Sequence, residues 1–223
     1  AISLNAGLGT IDTNSFATTI AQVIDGAGGL AKAGAGTLTL SGANTYRGGT
    51  MVTGGALYVS SDANLGDTSG ALTIGAGGAL VAGASFTIAR NVIANGGSIA
   101  DGGHTLTVSG NISGMELVKE GAGTLILTGN NTHLRTKILG GTLVLGSAAN
   151  AGFDPITIES GTLRASNSFS LSQAVFLVTG DISVDAGANL TLADVRGGYL
   201  NKRGAGTLTL TGANSYSPTA LYE

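Results

Sequence analysis

The sequence contains no cysteine and no tryptophan, and only 10% of its 223 residues are charged. The absence of cysteine excludes a disulfide framework and any thiolate ligand or nucleophile. Two prolines and the lack of a Gly-X-Y period exclude collagen. A formal net charge of −3 gives no sign of the basic surface that binding to nucleic acid or to an anionic membrane requires.

Long hydrophobic runs are also missing. The most apolar stretch, residues 75–84, is mostly glycine and alanine, and it is far shorter than the roughly 20 residues that a membrane helix needs. The chain is therefore predicted not to be inserted in a membrane. An apolar share of 43% combined with a low net charge indicates that it folds rather than remaining disordered.

Internal repetition is the strongest positive signal. Three segments, at 30–47, 118–135 and 200–217, each place a lysine shortly before Gly-Ala-Gly-Thr-Leu. The first glycines of this core are Gly34, Gly121 and Gly204, so that the repeating unit is roughly 85 residues long. Residues 1–223 are therefore interpreted as one repetitive segment, with unit boundaries at 1–33, 34–120, 121–203 and a truncated 204–223.

A shorter period lies within each unit. Apolar residues in a Gly-x-Leu context recur about every 22 residues, and the stretches around them alternate threonine with leucine, isoleucine or valine. Glycine-rich clusters, which are typical of turns, separate these short strands. The pattern favours an all-β fold, a right-handed parallel β-helix of about ten coils of ~22 residues. Neighbouring coils would stack at about 4.8 Å.

Residues 34–46, Gly-Ala-Gly-Thr-Leu-Thr-Leu-Ser-Gly-Ala-Asn-Thr-Tyr, resemble the passenger-associated transport repeat of bacterial autotransporters, the type V secretion family. The resemblance continues through Gly54-Gly55-Ala56-Leu57 and, in the second copy, through Gly140-Gly141-Thr142-Leu143. The second copy departs from the pattern at His133-Leu134-Arg135, and Pro218 interrupts the third.

The resemblance implies a passenger domain that is exported through the outer membrane of a Gram-negative bacterium to the cell surface. Such passengers are mostly adhesins, and their repeats are thought to aid export and folding. The implied partners are a host cell-surface or extracellular-matrix molecule, further copies in self-association, and a C-terminal outer-membrane β-barrel of the same precursor. A stalk and adhesive role without cofactors is therefore expected.

Catalysis is not expected, because neither histidine belongs to a recognisable motif. His104 and His133 are predicted to be solvent-exposed, and the aspartates are scattered through turns rather than forming a calcium or other metal site. The enzymatic alternative is a polysaccharide-cleaving β-helix that uses Asp181 and Asp185 with Arg164 or Arg196. A module of a vacuolating-type toxin is a third possibility, resting on fold analogy alone.

Two groups of residues are candidates for contact with a partner. The first lies in loops that vary between copies, at 60–70, 146–155 and 165–173. Its candidate contact residues are Asp62, Asn64, Asp67, Asn150, Asp154 and Asn167.

The second group recurs at one position of the repeat. It consists of Asn44, Asn131 and Asn214 with, two residues later, Tyr46, His133 and Tyr216. Two interpretations stay open, an asparagine turn with a packing aromatic or an exposed aromatic-amide strip that binds glycans. The repeated Lys32, Lys119 and Lys202 are predicted to be solvated charges.

Overall fold

The structure, a computed structural model, describes residues 1–221, so that residues 222–223, the end of the predicted unit 204–223, lie outside the described residues. The strands of the first half are β1 (Ile2–Leu4), β2 (Leu8–Asp12), β3 (Thr18–Ile20), β4 (Ile24–Gly26), β5 (Gly29–Ala33), β6 (Thr37–Leu40), β7 (Thr50–Val52), β8 (Gly55–Val59), β9 (Leu72–Gly75), β10 (Gly78–Ala82), β11 (Phe86–Ile88), β12 (Val92–Ala100) and β13 (Thr105–Val108). Those of the second half are β14 (Ile112–Glu120), β15 (Thr124–Leu127), β16 (Arg135–Ile138), β17 (Thr142–Leu145), β18 (Ile156–Ile158), β19 (Thr162–Ala165), β20 (Phe169–Leu171), β21 (Val175–Leu177), β22 (Asp181–Val184), β23 (Asn189–Leu192), β24 (Val195–Arg203), β25 (Thr207–Leu210) and β26 (Ser215–Leu221). Two short 3-10 turns lie at Asp62–Leu65 and Ala148–Asn150.

All strand pairs within residues 1–221 are parallel, and most strands pair with a strand one coil before and one coil after. Beside loop segments, β4, β11 and β20 pair on one side only. Leu38, Leu57, Leu80 and Ile99 form one such column, in which each member stands directly opposite the next. The chain is a parallel β-solenoid of about 11 turns, which confirms the predicted fold class. None of the described residues forms a helix that is long and apolar enough to cross a membrane.

The pairing divides the rod into three faces. Face A contains β2, β5, β7, β9 and the first halves of β12 and β14, then two loop segments on successive coils at 131–134 and 146–154, then β20, β23 and β25. Face B contains β3, β6, β8, β10, the second halves of β12 and β14, then β16, β18, β21, the first half of β24 and β26. Face C contains β1 and β4, then two loop segments on successive coils at 44–47 and 60–70, then β11, β13, β15, β17, β19, β22 and the second half of β24.

The long repeat turns around the rod. Because one coil takes about 20 residues and one unit about 85 residues, each unit covers four coils and part of a fifth. Each successive copy therefore begins one face further on. The residue in register with each repeated lysine, one coil earlier, is Ile11 on face A for Lys32, Ile99 on face B for Lys119, and Ile182 on face C for Lys202.

Alternation along each strand creates the core. In β6 and β15 the leucines are buried and the intervening residues point outward, as expected for strands with one buried face. Full burial of each leucine contributes roughly 1.5–3 kcal/mol. Glycine is required where coils approach most closely: Gly141 has φ 61°, and a Cβ there would lie 2.3 Å from the carbonyl oxygen of Gly123.

The two ends of the described rod are less well covered than its middle. Leu8 and Phe16 in the first coil are 52% and 73% exposed. Leu208 and Leu210 in the last coil are partly buried, whereas Leu190 and Leu192, one coil earlier, are fully buried.

Candidate interaction surface

The repeated asparagines are buried, and the prediction of an exposed strip is wrong at Asn44 and Asn131. The side chain of Asn44 accepts a hydrogen bond from the backbone N–H of Ile24 at 2.8 Å and donates to the carbonyl oxygen of Asn64 at 2.6 Å. Asn131 does the same with Ile112 and Asn150, at 2.8 and 2.7 Å. Each amide joins three successive coils, because it replaces ladder bonds that the loop section cannot make.

Asn64 and Asn150, predicted as partner contacts, are also buried. The Oδ1 atom of Asn64 accepts from the backbone N–H groups of Ser60 and Ser61, both at 3.0 Å, and its Nδ2 donates to the carbonyl oxygen of Gly42 at 3.0 Å. Asn150 makes equivalent bonds to residues 146, 147 and 129. Both side chains hold loops together and are out of a partner's reach.

The aromatic positions of the predicted strip are core residues in the first two copies. Tyr46 and His133 are fully buried, which contradicts the exposed interpretation and supports the packing one. The hydroxyl of Tyr46 lies 2.6 Å from Thr50 Oγ1. Burial raises the pKa of Tyr46 to about 12, and Thr50 Oγ1 donates onward to the carbonyl oxygen of Leu65 at 3.0 Å.

His133 makes the corresponding contact in the second copy. Its Nε2 lies 2.7 Å from Thr136 Oγ1, which in turn donates to the carbonyl oxygen of Ala151 at 3.3 Å. Burial lowers the pKa of His133 to about 4. The predicted solvent exposure of this histidine is wrong, because the side chain fills the space that tyrosine fills elsewhere. His104 is half-buried.

In the third copy, Asn214 and Tyr216 are half-buried. Asn214 Oδ1 accepts from the backbone N–H of Val195 at 2.8 Å, as in the other copies. Its Nδ2, however, donates to the carbonyl oxygen of Gly212 in its own loop, at 2.9 Å. The bond toward a following coil is not formed within the described residues.

A buried arginine fixes the loop at 60–70. Arg90 forms an ion pair with Asp62 at 2.8 Å, and its guanidinium donates to the carbonyl oxygens of Asp62, Leu65, Gly66, Asp67 and Gly70. Hydrogen bonds from Ser69 lower the pKa of Asp67. In the second copy Gln173 donates to the carbonyl oxygen of Gly152 at 3.4 Å.

Two of the six predicted contact residues are fully available at the surface. Asp154 and Asn167 are exposed, and Asp62 and Asp67 are half-buried. Asn167 Nδ2 donates to the carbonyl oxygen of Gly146 at 3.3 Å. A partner contact at these four positions stays a prediction.

The repeated lysines are not solvated charges, because Lys32 and Lys119 are fully buried. Lys32 Nζ donates to the carbonyl oxygens of Ala33, Gly34 and Gly54 at 2.9, 2.8 and 2.9 Å. Burial lowers the pKa of Lys32, and the charge of Asp12 acts in the opposite direction.

Lys119 holds the equivalent corner of the second copy. Its Nζ donates to the carbonyl oxygens of Glu120, Gly121 and Gly140, each at 3.0 Å, and forms an ion pair with the buried Asp101. Lys202 is half-buried and donates to the carbonyl oxygen of Gly204. Each lysine therefore donates to a carbonyl oxygen in the glycine corner of its own coil. Lys32 and Lys119 also donate to a carbonyl oxygen in the corner of the next coil.

The residues of the enzymatic alternative are separated into ion pairs. Asp185 pairs with Arg164 through bonds of 2.7 and 2.8 Å, and Asp181 pairs with Arg203 at 2.5 Å. Arg196 pairs instead with Asp194 at 2.7 Å. Across residues 1–221, no three histidine, aspartate or glutamate side chains lie together as a metal ion would need.

A recess that the sequence did not predict lies on the outside of face B. It has a volume of about 260 Å³ and lies between the turns at Gly77 and Gly96 and the outward-facing Ala79, Ser98 and Val118, with Glu120 at its side. Glycine pairs at 77–78 and 96–97, one coil apart, are the sequence signal that marks it. A ridge of exposed apolar side chains also occurs on successive coils, at Met115, Leu134 and Phe153.

Comparison with known proteins identifies the repeat and one similar protein. A family model described as Passenger-associated-transport-repeat matches residues 30–59, 117–145, 136–165 and 200–220. The chain is 36% identical over 218 residues to the adhesin BmaC autotransporter of Brucella suis biovar 1 (strain 1330). That alignment covers 95% of the chain but 6% of the relative, so the chain spans a small part of the relative's length. No solved structure matches the chain.

Proposed function

The chain belongs to the autotransporter passengers that carry the passenger-associated transport repeat, and we propose that within such a passenger it is a rigid stalk segment with an adhesive surface. Such a passenger is exposed at the cell surface after export through the outer membrane. The observation that carries the proposal is the 36% sequence identity to an adhesin autotransporter, which extends over 95% of the chain. The partner would be a host cell-surface or extracellular-matrix molecule.

Rigidity supports the stalk part of the proposal. Loops would be the flexible parts of such a rod. Here Asn44, Asn131 and Arg90 tie them to neighbouring coils through buried hydrogen bonds. A rod that resists bending holds its distal end away from the membrane. The local pairing of each coil with the one before it also supports a role in export, since a chain emerging from the membrane can fold coil by coil.

The experiment compares cells that display the passenger with and without this segment, at matched surface levels. A third strain carries an unrelated β-helix of equal length in its place. Loss of attachment that the unrelated rod restores identifies a stalk, and loss that it does not restore identifies an adhesive surface. Attachment that is unchanged by deletion contradicts both parts of the proposal.

Self-association is part of the same proposal. The ridge of exposed apolar side chains at Met115, Leu134 and Phe153 lies on the side of the rod, where a second copy could cover it. The double variant Leu134→Lys with Phe153→Lys should remain monomeric at concentrations where the parent chain associates, as measured by analytical ultracentrifugation. Thr105→Lys with Thr107→Lys, on face C, is the matched control. Equal association of all three proteins would exclude the ridge as the contact.

The proposed role is non-enzymatic. Asp181 and Asp185 are each engaged by an arginine, which leaves neither carboxylate poised as an acid or a nucleophile. Purified protein incubated with neutral and anionic polysaccharides is expected to release no shorter sugars. Released oligosaccharides would instead support the enzymatic alternative.

A further inference from the structure

The outside of face B is concave at the coils that contain β10, β12 and β14. Ser98 and Val118 alternate with the core residues Ile99 and Lys119 and therefore point outward. They are nevertheless only 9% and 7% exposed. Outward residues this well covered must lie below the surrounding surface, so they form the floor of a recess rather than a flat sheet.

The recess is long in the direction of the rod. Its floor runs from Ala79 through Ser98 to Val118, which are in register on three successive coils. Two coil steps correspond to about 10 Å. The wall consists of glycine turns, in which Gly77 and Gly96 have φ values of 85° and 84°, so the wall presents backbone rather than side chains.

Two polar groups in the recess have no partner of their own. The hydroxyl of Ser98 makes no hydrogen bond to any described residue, and it reaches the open space of the recess rather than being enclosed by protein. Glu120 lines the same recess and takes part in none of the ion pairs found within residues 1–221. Both polar groups are therefore available to a ligand that enters the recess.

A peptide that adds to the sheet as a further strand does not fit these features. Peptides that add to a sheet need a strand edge with free N–H and C=O groups. At the recess, β12 is paired on both sides, with β10 and β14, and so offers no edge. A linear sugar chain needs no edge. Its C–H face can cover the floor, and its hydroxyls can donate to Glu120 and bond Ser98 in either direction.

The negative charge of Glu120 also limits which saccharides the recess can bind. Sulfate and carboxylate groups on a sugar would lie beside the carboxylate of Glu120, which repels them. We propose that this recess binds a linear saccharide without anionic groups, oriented along the rod axis. The inference rests on the proposed adhesive role and names the class of ligand that it would recognise.

The test uses the purified chain and isothermal titration calorimetry. The probes are cellotetraose and tetra-N-acetylchitotetraose as neutral sugars, a chitosan tetramer as a cationic sugar, and a heparin tetrasaccharide as an anionic sugar. Ser98→Phe and Ala79→Phe each fill the recess from an outward-facing position. Thr107→Phe, outward on face C of the same coil as Ser98, is the matched control.

The parent chain and Thr107→Phe are expected to bind at least one non-anionic probe and not the heparin fragment. The recess-filling variants should lose at least about tenfold in affinity. Circular dichroism verifies folding, and Ala79→Phe decides the question if Ser98→Phe does not fold. Binding of no probe, binding of heparin alone, or unchanged binding by both filled variants overturns the proposal.

A parallel assay separates this inference from the proposed function. Cells that display the passenger are allowed to attach to host cells before and after enzymatic removal of host glycans. Attachment that depends on this segment but survives glycan removal contradicts the saccharide site and leaves the adhesive role standing. Attachment that does not depend on the segment contradicts the adhesive role itself.

Discussion

His133 reproduces in the second copy the hydrogen bond that Tyr46 makes in the first. The His133 Nε2–Thr136 Oγ1 distance is 2.7 Å, and the Tyr46 hydroxyl–Thr50 Oγ1 distance is 2.6 Å. The two side chains are chemically different but place a polar atom at the same point in the coil. They differ in one property that matters for stability, because only the imidazole can acquire a charge in mild acid.

The first prediction follows from that difference. Burial lowers the pKa of His133 to about 4 from an ordinary 6.5, so the folded state favours neutral imidazole. The neutral side chain contributes fully above the unfolded pKa, and its contribution falls as the pH decreases from 6.5 toward 4. The resulting loss is about 3 kcal/mol in the free energy of unfolding.

Urea unfolding of the parent chain and of His133→Tyr, at about pH 7 and about pH 4, measures this effect. Tyrosine is the residue that the first copy has at this position, so the variant keeps the contact and removes the titration. The stability difference between the two proteins should shift in favour of His133→Tyr in acid. An equal loss for both proteins would show that His133 does not titrate across folding.

The second prediction concerns the buried asparagines. Asn44→Ala or Asn131→Ala removes two hydrogen bonds and leaves the backbone N–H of Ile24 or Ile112 without a partner. We expect each substitution to lower the free energy of unfolding by about 2–3 kcal/mol. Asn167→Ala, at an exposed position, should change it by less than about 0.5 kcal/mol. Similar values for all three variants would contradict the structural role.

The third prediction tests the buried ion pair of Lys119 and Asp101. Lys119→Met leaves the carboxylate buried without a counterion and should destabilise the fold by about 3–5 kcal/mol. The Oδ1 atom of Asp101 also accepts from the backbone N–H groups of Gly103 and Gly123, and asparagine can retain these bonds. The double variant Lys119→Met with Asp101→Asn should therefore recover part of the loss. Additive effects in this double-mutant cycle would show that the two charges are not coupled.

The fourth prediction concerns the loop at 60–70. Arg90→Met removes every hydrogen bond from the guanidinium to the loop carbonyls and leaves Asp62 without its ion pair. Amide hydrogen exchange in residues 62–70 should become faster, whereas exchange in β15 should not change. Gln173→Met, which removes one long hydrogen bond, should affect the loop at 146–155 much less. Unchanged exchange in Arg90→Met would mean that the loop holds its shape without the arginine.

The predicted exposure of the repeated lysines and asparagines was wrong for one physical reason. Lysine and asparagine in glycine-rich turns are usually exposed, and composition gave no indication that Lys32 or Asn44 is buried. Their partners, Gly54 and Asn64, are distant along the chain but lie in the adjacent coil. Such contacts exist only after the coils stack, so no local pattern reveals them.

The repeat pattern was the feature of the sequence that predicted the fold. Alternating threonine and leucine between glycine corners, recurring about once per coil, is compatible with parallel stacking and with little else, and the family resemblance follows from the same residues. The average spacing of about 22 residues between apolar anchors did not show on which face of the coil each anchor lies. Ile99 and Leu125 look like consecutive anchors in the sequence, but Ile99 lies on face B and Leu125 on face C.

The sequence by itself thus determined a cysteine-free, weakly charged β-helix with an autotransporter repeat, because apolar periodicity and turn chemistry are local properties of the chain. The tertiary structure decided which polar side chains are buried, how each copy of the repeat turns onto the next face, and where the outer surface is recessed. These depend on register between coils, which brings residues a full coil apart in the sequence within hydrogen-bonding distance.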